Sequence, residues 1–261
     1  MTPPSSPSSF VKDIIDSIDG AMIVSCQASK GEPLNHPDHI LALALSGING
    51  GARGVRLEGL ENIERVRSSL GKLFDGAVPI VGLTKSDIPA EEKLTSVYIT
   101  ACFDDAKSLA EAGADIIALD ATGRKRSDGL SLKETIDRIH SELNKAVWAD
   151  CATFGEGLAA HEAGADIVST TLYGYTAETA LPKEAGPGLD LLKEFVIHIK
   201  APIILEGRVW HPNEVTRAFE LGAHAVVVGS AITRPQLITE RFVKAIPSRR
   251  VRCPAFQPVA Q

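Results

Sequence analysis

EAGADII (111–117) and EAGADIV (162–168) are one phrase written twice, and ELGAHAVVV (220–228) is a third version of it. A fourth and weaker version, NGGARGV, stands at 49–55. Each version ends a helix-period segment on Gly followed by Ala, and an apolar run begins almost at once. Gly there can take the left-handed conformation that closes a helix. Working outward from the four copies, eight strand-like runs separate: MIVSCQ (22–27), GVRLE (54–58), PIVGLT (79–84), DIIALDA (115–121), AVWAD (146–150), DIVSTTL (166–172), PIILEG (202–207) and AVVVGS (225–230). The copies precede strands two, four, six and eight. A further short run, VYIT (97–100), reads as a strand within a loop. Near-continuous Val, Ile and Leu marks strands buried on both faces, as in a parallel sheet. Between them, CFDDAKSLAEAGA and FGEGLAAHEAGA place apolar residues three and four apart, the period of a helix. A βαβα unit repeated four times is an α/β chain of the (βα)8 TIM-barrel class. An open doubly wound sheet usually shows GxGxxG after its first strand, and SCQASKGEP has none.

The chain of 261 residues, 44% hydrophobic, suits such a barrel as a single domain. We expect that domain over 10–246, with a disordered tail at 1–9 and a second tail at 247–261. The opening MTPPSSPSSF has no basic segment followed by an apolar one, so it does not read as a signal peptide. No apolar run approaches the ~20 residues of a membrane span. The formal net charge is −6 and no basic stripe is clustered, which argues against nucleic acid as a partner. Cys26, Cys102, Cys151 and Cys253 have no CxxC spacing, and a reducing compartment is the simplest reading. A cytoplasmic protein, away from membranes and assembled as a homodimer, is the expectation.

In a barrel of this kind the C-terminal ends of the strands form the functional face. Strand one ends in Gln27, and strand two carries Arg56 and Glu58. Lys85 follows strand three. Strand four ends in Asp120, with Thr122, Arg124 and Arg126 close behind, and strand five ends in Asp150. Strand six supplies Thr170 and Thr171, then Tyr173, which could line a pocket. Strand seven ends in Glu206, Gly207 and Arg208, and strand eight in Gly229 and Ser230. Charges at the mouths of buried strands are costly unless paired or solvated. Ordinary rim salt bridges would explain any one of them, but they explain the whole ring poorly.

EGR after strand seven and GS after strand eight lie on neighbouring strands. Glycines there expose backbone N–H groups, and the stretch after Ser230 can open a helix, which together form an anion site. Barrels often hold a phosphate between these two loops. Arg208 and Arg234 can add charge-assisted bonds. The expected ligand is a phosphate ester, with Gly207, Arg208, Gly229, Ser230 and Arg234 around its phosphate. The competing reading is that the glycines only turn the chain. Lys85 and Glu206 are the catalytic candidates. A lysine enclosed at a barrel mouth loses hydration, which favours the neutral base, and Glu206 can supply a second acid or base. His36 and His39 have ligand chemistry but no third partner, so we expect a helix-starting polar cluster and no metal. Cys26 and Cys151 read as small core fillers.

With these residues in view, the chain resembles the N-acetylmannosamine-6-phosphate 2-epimerases of sialic acid breakdown, from about Val11 to Arg234. The resemblance is carried by SCQA, GVR, GLTK, YIT, DIIALDATGRKRSDG, the AD that ends strand five, GADIVSTTLYGYT, LEGR and VVVGSAITRP. It implies a (βα)8 barrel that interconverts N-acetylmannosamine 6-phosphate and N-acetylglucosamine 6-phosphate without metal or organic cofactor. It implies catalytic roles for Lys85 and Glu206 and substrate contacts for Gln27, Arg56 and Asp150. Asp120, Thr171 and Tyr173 join these as candidate contacts. SDIPAEEKLTSVY, after the lysine, is longer than the resemblance leads one to expect. The chemistry suits the residues: C2 is acidic only when C1 is an aldehyde, so Glu206 would open the ring and Lys85 would take the C2 proton. A Schiff-base lyase using Lys85 and a phosphosugar-binding barrel without activity are the alternative readings.

Overall fold

The structure is a computed structural model that describes residues 9–73, 78–182 and 184–247. Eight parallel strands close into one barrel in sequence order, as the repeats predict. They are β1 (Ala21–Cys26), β2 (Gly54–Glu58), β3 (Ile80–Leu83), β4 (Ile116–Asp120), β5 (Ala146–Asp150), β6 (Ile167–Ser169), β7 (Ile203–Leu205) and β8 (Ala225–Val228). Around them run α1 (Ser9–Ser17), α2 (Pro37–Asn49), α3 (Leu60–Leu73), α4 (Ala90–Lys93), α5 (Phe103–Glu111), α6 (Leu132–Arg138), α7 (Phe154–Glu162), α8 (Leu189–His198), α9 (Pro212–Glu220), α10 (Ser230–Thr233) and α11 (Pro235–Lys244). Ser9 is helical, one residue earlier than the expected domain start; 1–8 and 248–261, where the tails were expected, lie outside the described residues. Among the described residues no helix is long and apolar enough to cross a membrane.

The repeated phrase works the same way four times. Gly51, Gly113, Gly164 and Gly222 all have positive φ, between 95° and 104°. The Ala after each donates its N–H five residues back: Ala52 to Gly47 O, Ala114 to Leu109 O, Ala165 to Ala160 O and Ala223 to Ala218 O, each at 3.0 Å. This is the left-handed closure that satisfies a helix's last carbonyls. The next residue then docks on the preceding odd strand. Arg53 N reaches Met22 O, Asp115 N reaches Ile80 O, Asp166 N reaches Val147 O and His224 N reaches Ile203 O. In two copies the Asp side chain completes the pair, Asp115 accepting from Ile80 N at 2.9 Å and Asp166 from Val147 N at 2.7 Å.

Alternation along the strands separates two apolar layers. Val24, Val55, Ile117 and Val168 pack outward with the helices, while Ile23, Val81, Trp148, Ile204 and Val227 fill the barrel. Val11 and Ile15 of α1, with Ile18 after it, belong to the inner layer. His224 beside β8 bonds Ile15 O at 2.9 Å, so α1 stops the N-terminal end and leaves the opposite mouth open. Strands six and seven are shorter than read. The Thr170 hydroxyl donates to Glu206 O at 2.9 Å and accepts from Glu206 N at 3.1 Å, taking the place of a ladder bond. The expected loop strand VYIT contributes a single antiparallel bridge, Ile99 to Lys85. Cys26 and Cys151 are buried in the outer layer, and burial pushes the Cys26 thiol up to about 12. His36 begins α2 by accepting from Asp38 N.

Candidate active site

A cavity of about 400 Å³ opens at the C-terminal ends of the strands. Arg56 stands at its floor, in line with Ser25 and Val81 across β1–β3. Its guanidinium is almost wholly enclosed. Nη2 lies 2.7 Å and Nη1 3.2 Å from the two Asp150 carboxylate oxygens, and Nε stands 3.1 Å from Glu206 Oε1. The Trp148 ring lies beneath, 5.3 Å from the guanidinium carbon to its centroid. Burial works against the Arg56 charge; Asp150 and Glu206 outweigh it and push its proton affinity up. The Thr171 hydroxyl stands between the carboxylates, donating to Asp150 Oδ1 at 2.6 Å and lying 3.2 Å from Glu206 Oε2.

Arg56 and Asp150 neutralise each other, which leaves Glu206 as the surplus carboxylate in a buried place. Burial pushes its carboxyl from an ordinary 4.5 up to about 7, against Arg56, while Asp150 adds to the rise and Thr171 and Lys85 oppose it. At neutral pH such a group can both give and take a proton. Lys85 faces the same cavity. Its Nζ donates to Gln27 Oε1 at 2.6 Å and lies 3.3 Å from Glu58 Oε2. The Gln27 amide is turned by Ser25, whose hydroxyl accepts from Nε2 at 3.0 Å. The enclosure expected for Lys85 is partial, with 32% of the side chain exposed.

The structure brings Gln27, Arg56, Lys85, Thr171, Glu206, Gly207, Arg208, Gly229, Ser230 and Arg234 to one cavity. Three expected contacts are not on its lining. Asp150 stands behind Arg56. Asp120 is fully buried and turned to Thr122 and Arg124. Tyr173 packs over the Gly188 backbone, where a Cβ would come within 2.9 Å of its ring. Tyr175 lines the cavity instead, with the Arg208 guanidinium 4.5 Å from its ring centroid. Tyr98, Trp210 and the Lys85 partner Glu58 were not selected from the sequence. Glu58 was visible at a strand end, but only the fold shows that the lysine reaches it.

The two arginines of the loops after β7 and β8 already have protein partners. Arg208, at φ 60°, donates to Pro182 O at 2.7 Å and Gly174 O at 2.9 Å. Arg234 pairs with Glu32. Gly229 precedes α10, whose first N–H groups have no acceptor within the helix. A Cβ on Gly229 would lie 3.1 Å from Ser25 Cβ, so packing also asks for glycine there.

Fold and mouth together define a single-domain (βα)8-barrel enzyme whose ionisable side chains gather at the open end of the strands. The family model described as "Putative N-acetylmannosamine-6-phosphate epimerase" covers residues 40–248. A "Putative N-acetylmannosamine-6-phosphate 2-epimerase" of Cutibacterium acnes is 44% identical over 241 residues, 92% of this chain and 99% of that protein. Another, from Caldanaerobacter subterraneus subsp. tengcongensis, is 40% identical over 91% of this chain and 96% of its own length. The solved N-acetylmannosamine-6-phosphate 2-epimerase of Clostridium perfringens superposes with a TM-score of 0.79 at 36% identity, covering 89% of this chain and 96% of that one. The chain belongs to the N-acetylmannosamine-6-phosphate epimerase family.

Proposed function

We propose that this protein inverts C2 of N-acetylmannosamine 6-phosphate, giving N-acetylglucosamine 6-phosphate, by ring opening and proton transfer. The observation that carries the reading is one mouth cavity holding a partly exposed lysine, Lys85, and a buried carboxyl, Glu206, raised to about 7. Glu206 opens the pyranose. Lys85 takes the C2 proton, leaving an enolate whose charge lies on the C1 oxygen. Arg56 and Gln27 face the developing charge, which fixed donors stabilise without reorganising. A proton returned to the opposite face completes the inversion. Asp150 and Thr171 hold Arg56 and Glu206 in place rather than meeting the sugar. The phosphate lies among Gly207, Gly229 and Ser230, with Arg234 turning from Glu32 toward it. We place the reaction in the cytoplasm, in sialic acid and amino-sugar catabolism.

Lys85→Met tests the base. General acid–base groups contribute ~10²–10⁴-fold, so turnover should fall at least by that range while binding of the sugar phosphate persists. Retention of wild-type turnover would remove Lys85 from the chemistry. Inactivation by borohydride in the presence of substrate would replace the epimerase reading with a Schiff-base lyase. The partner copy of a homodimer is best accommodated on α11, which buries none of its own residues and exposes Phe242, Val243 and, just beyond, Ile246. Light scattering on the full chain should give twice the monomer mass, and Phe242→Glu should reduce it to one.

A further inference from the structure

Asp120 lies off the cavity, yet four donors converge on it. Its Oδ1 accepts from Thr122 N at 3.1 Å and Thr122 Oγ1 at 2.6 Å. Its Oδ2 accepts from Arg124 Nη2 at 2.7 Å and lies 3.5 Å from Tyr98 N. Arg124 in turn uses its whole fork. Nε donates to Thr122 Oγ1 at 2.7 Å, and Nη1 donates to Lys93 O at 2.6 Å. The guanidinium carbon lies 5.9 Å from the Tyr98 ring centroid.

These contacts matter because of what residues 86–98 do. The segment leaves Lys85, forms α4 and returns through Tyr98, which lines the cavity. Its two roots are held by backbone bonds, Ser86 N to Tyr98 O and Thr100 N to Thr84 O. Arg126 adds a bond to Thr100 O. The middle is held differently: Arg124 takes Lys93 O, and Ala177 N reaches Leu94 O at 3.3 Å. Arg124 is therefore the side chain that connects the middle of this segment to the buried end of β4.

Resting on the epimerase reading for its kinetic arm, we propose that Arg124 is a positioning residue. It fixes the segment 86–98 against Asp120, so that Tyr98 forms a preorganised wall beside Lys85. Only a planar fork can serve Asp120, Thr122 and Lys93 O at once, and a lysine ammonium is a point donor without that span. The wall must otherwise be ordered at the moment of binding, which lowers affinity.

The test uses the full chain with Arg124→Lys. A second variant, Arg124→Met with Asp120→Asn, avoids leaving a buried carboxylate alone. Hydrogen exchange without ligand should quicken in 88–97 and stay unchanged in β4 and β5. KM for N-acetylmannosamine 6-phosphate should rise roughly tenfold, the effect of ordering one or two side chains, with a smaller change in kcat. An unfolded fraction would lower kcat and leave KM alone. Unchanged exchange, or faster exchange with an unchanged KM, would overturn the proposal. Because the exchange arm needs no turnover, failure of the epimerase reading would show separately, as a wild type inactive on this sugar.

Discussion

Glu206 meets Arg56 on one side and Thr171 on the other, and its protonation bears on stability. Its carboxyl sits at about 7 in the folded chain and near 4.5 when free. As pH rises from about 4.5 to about 7 the unfolded chain gives up this proton while the folded one keeps it, so folding loses stability across that window. Glu206→Gln carries no such proton. Thermal melts at pH 5 and pH 8 should therefore show the variant gaining on wild type at the higher pH, and a constant difference would contradict the buried carboxyl. On the proposed ring-opening role, the same variant should lose C2 exchange together with epimerisation. Not all of this was legible in the chain. Asp120 and Asp150 both end strands and are neighbours in register, so from sequence both qualify as substrate contacts. Only the fold shows each captured by a different arginine: Arg124 turns back four residues onto Asp120, while Arg56 reaches Asp150 from a distant strand, a pairing that leaves no local pattern. Gly229 shows the same limit. Its sequence context suits an anion cradle, but Ser25 stands where a side chain would go. Ser230 or Arg234 is thus a cleaner place than Gly229 to test phosphate binding.

At the scale of elements, the phrase that sets the fold also sets a cost. Gly164 and Gly113 share a φ of 104°, but they differ in surroundings. A Cβ on Gly164 meets only Ile136, at 3.7 Å, whereas one on Gly113 meets Arg67 Cγ at 2.9 Å. Gly164→Ala should cost roughly 1–2 kcal/mol of backbone strain alone, which lowers the melting temperature by about 2–4 °C per kcal/mol in a domain of this size. Gly113→Ala should lower it further, because the Arg67 that pairs with Asp115 must also move. Melting temperatures equal to wild type for both would mean that the repeat does not depend on left-handed closure. Eight strands and their order were readable because this phrase recurs and because buried strands are continuously apolar. Strand ends were less readable. The Thr170 hydroxyl ends the ladder between β6 and β7 early, and a side chain replacing a backbone bond looks in sequence like more strand.

Across the whole molecule, one end of the barrel is stopped by α1 and the other opens on the cluster of ionisable side chains, with Ile23, Trp148, Ile204 and Val227 packed between. This arrangement gathers at a single mouth the polar groups proposed to move a proton at C2. Proton NMR of N-acetylmannosamine 6-phosphate incubated with the wild-type chain in D2O reads that proton transfer. The C2 proton signal should disappear as deuterium enters while resonances of the gluco epimer grow in, and neither change should occur with Lys85→Met. Epimer appearing with its C2 proton fully retained, or a sugar phosphate left unchanged by well-folded protein, would rule out proton transfer at C2.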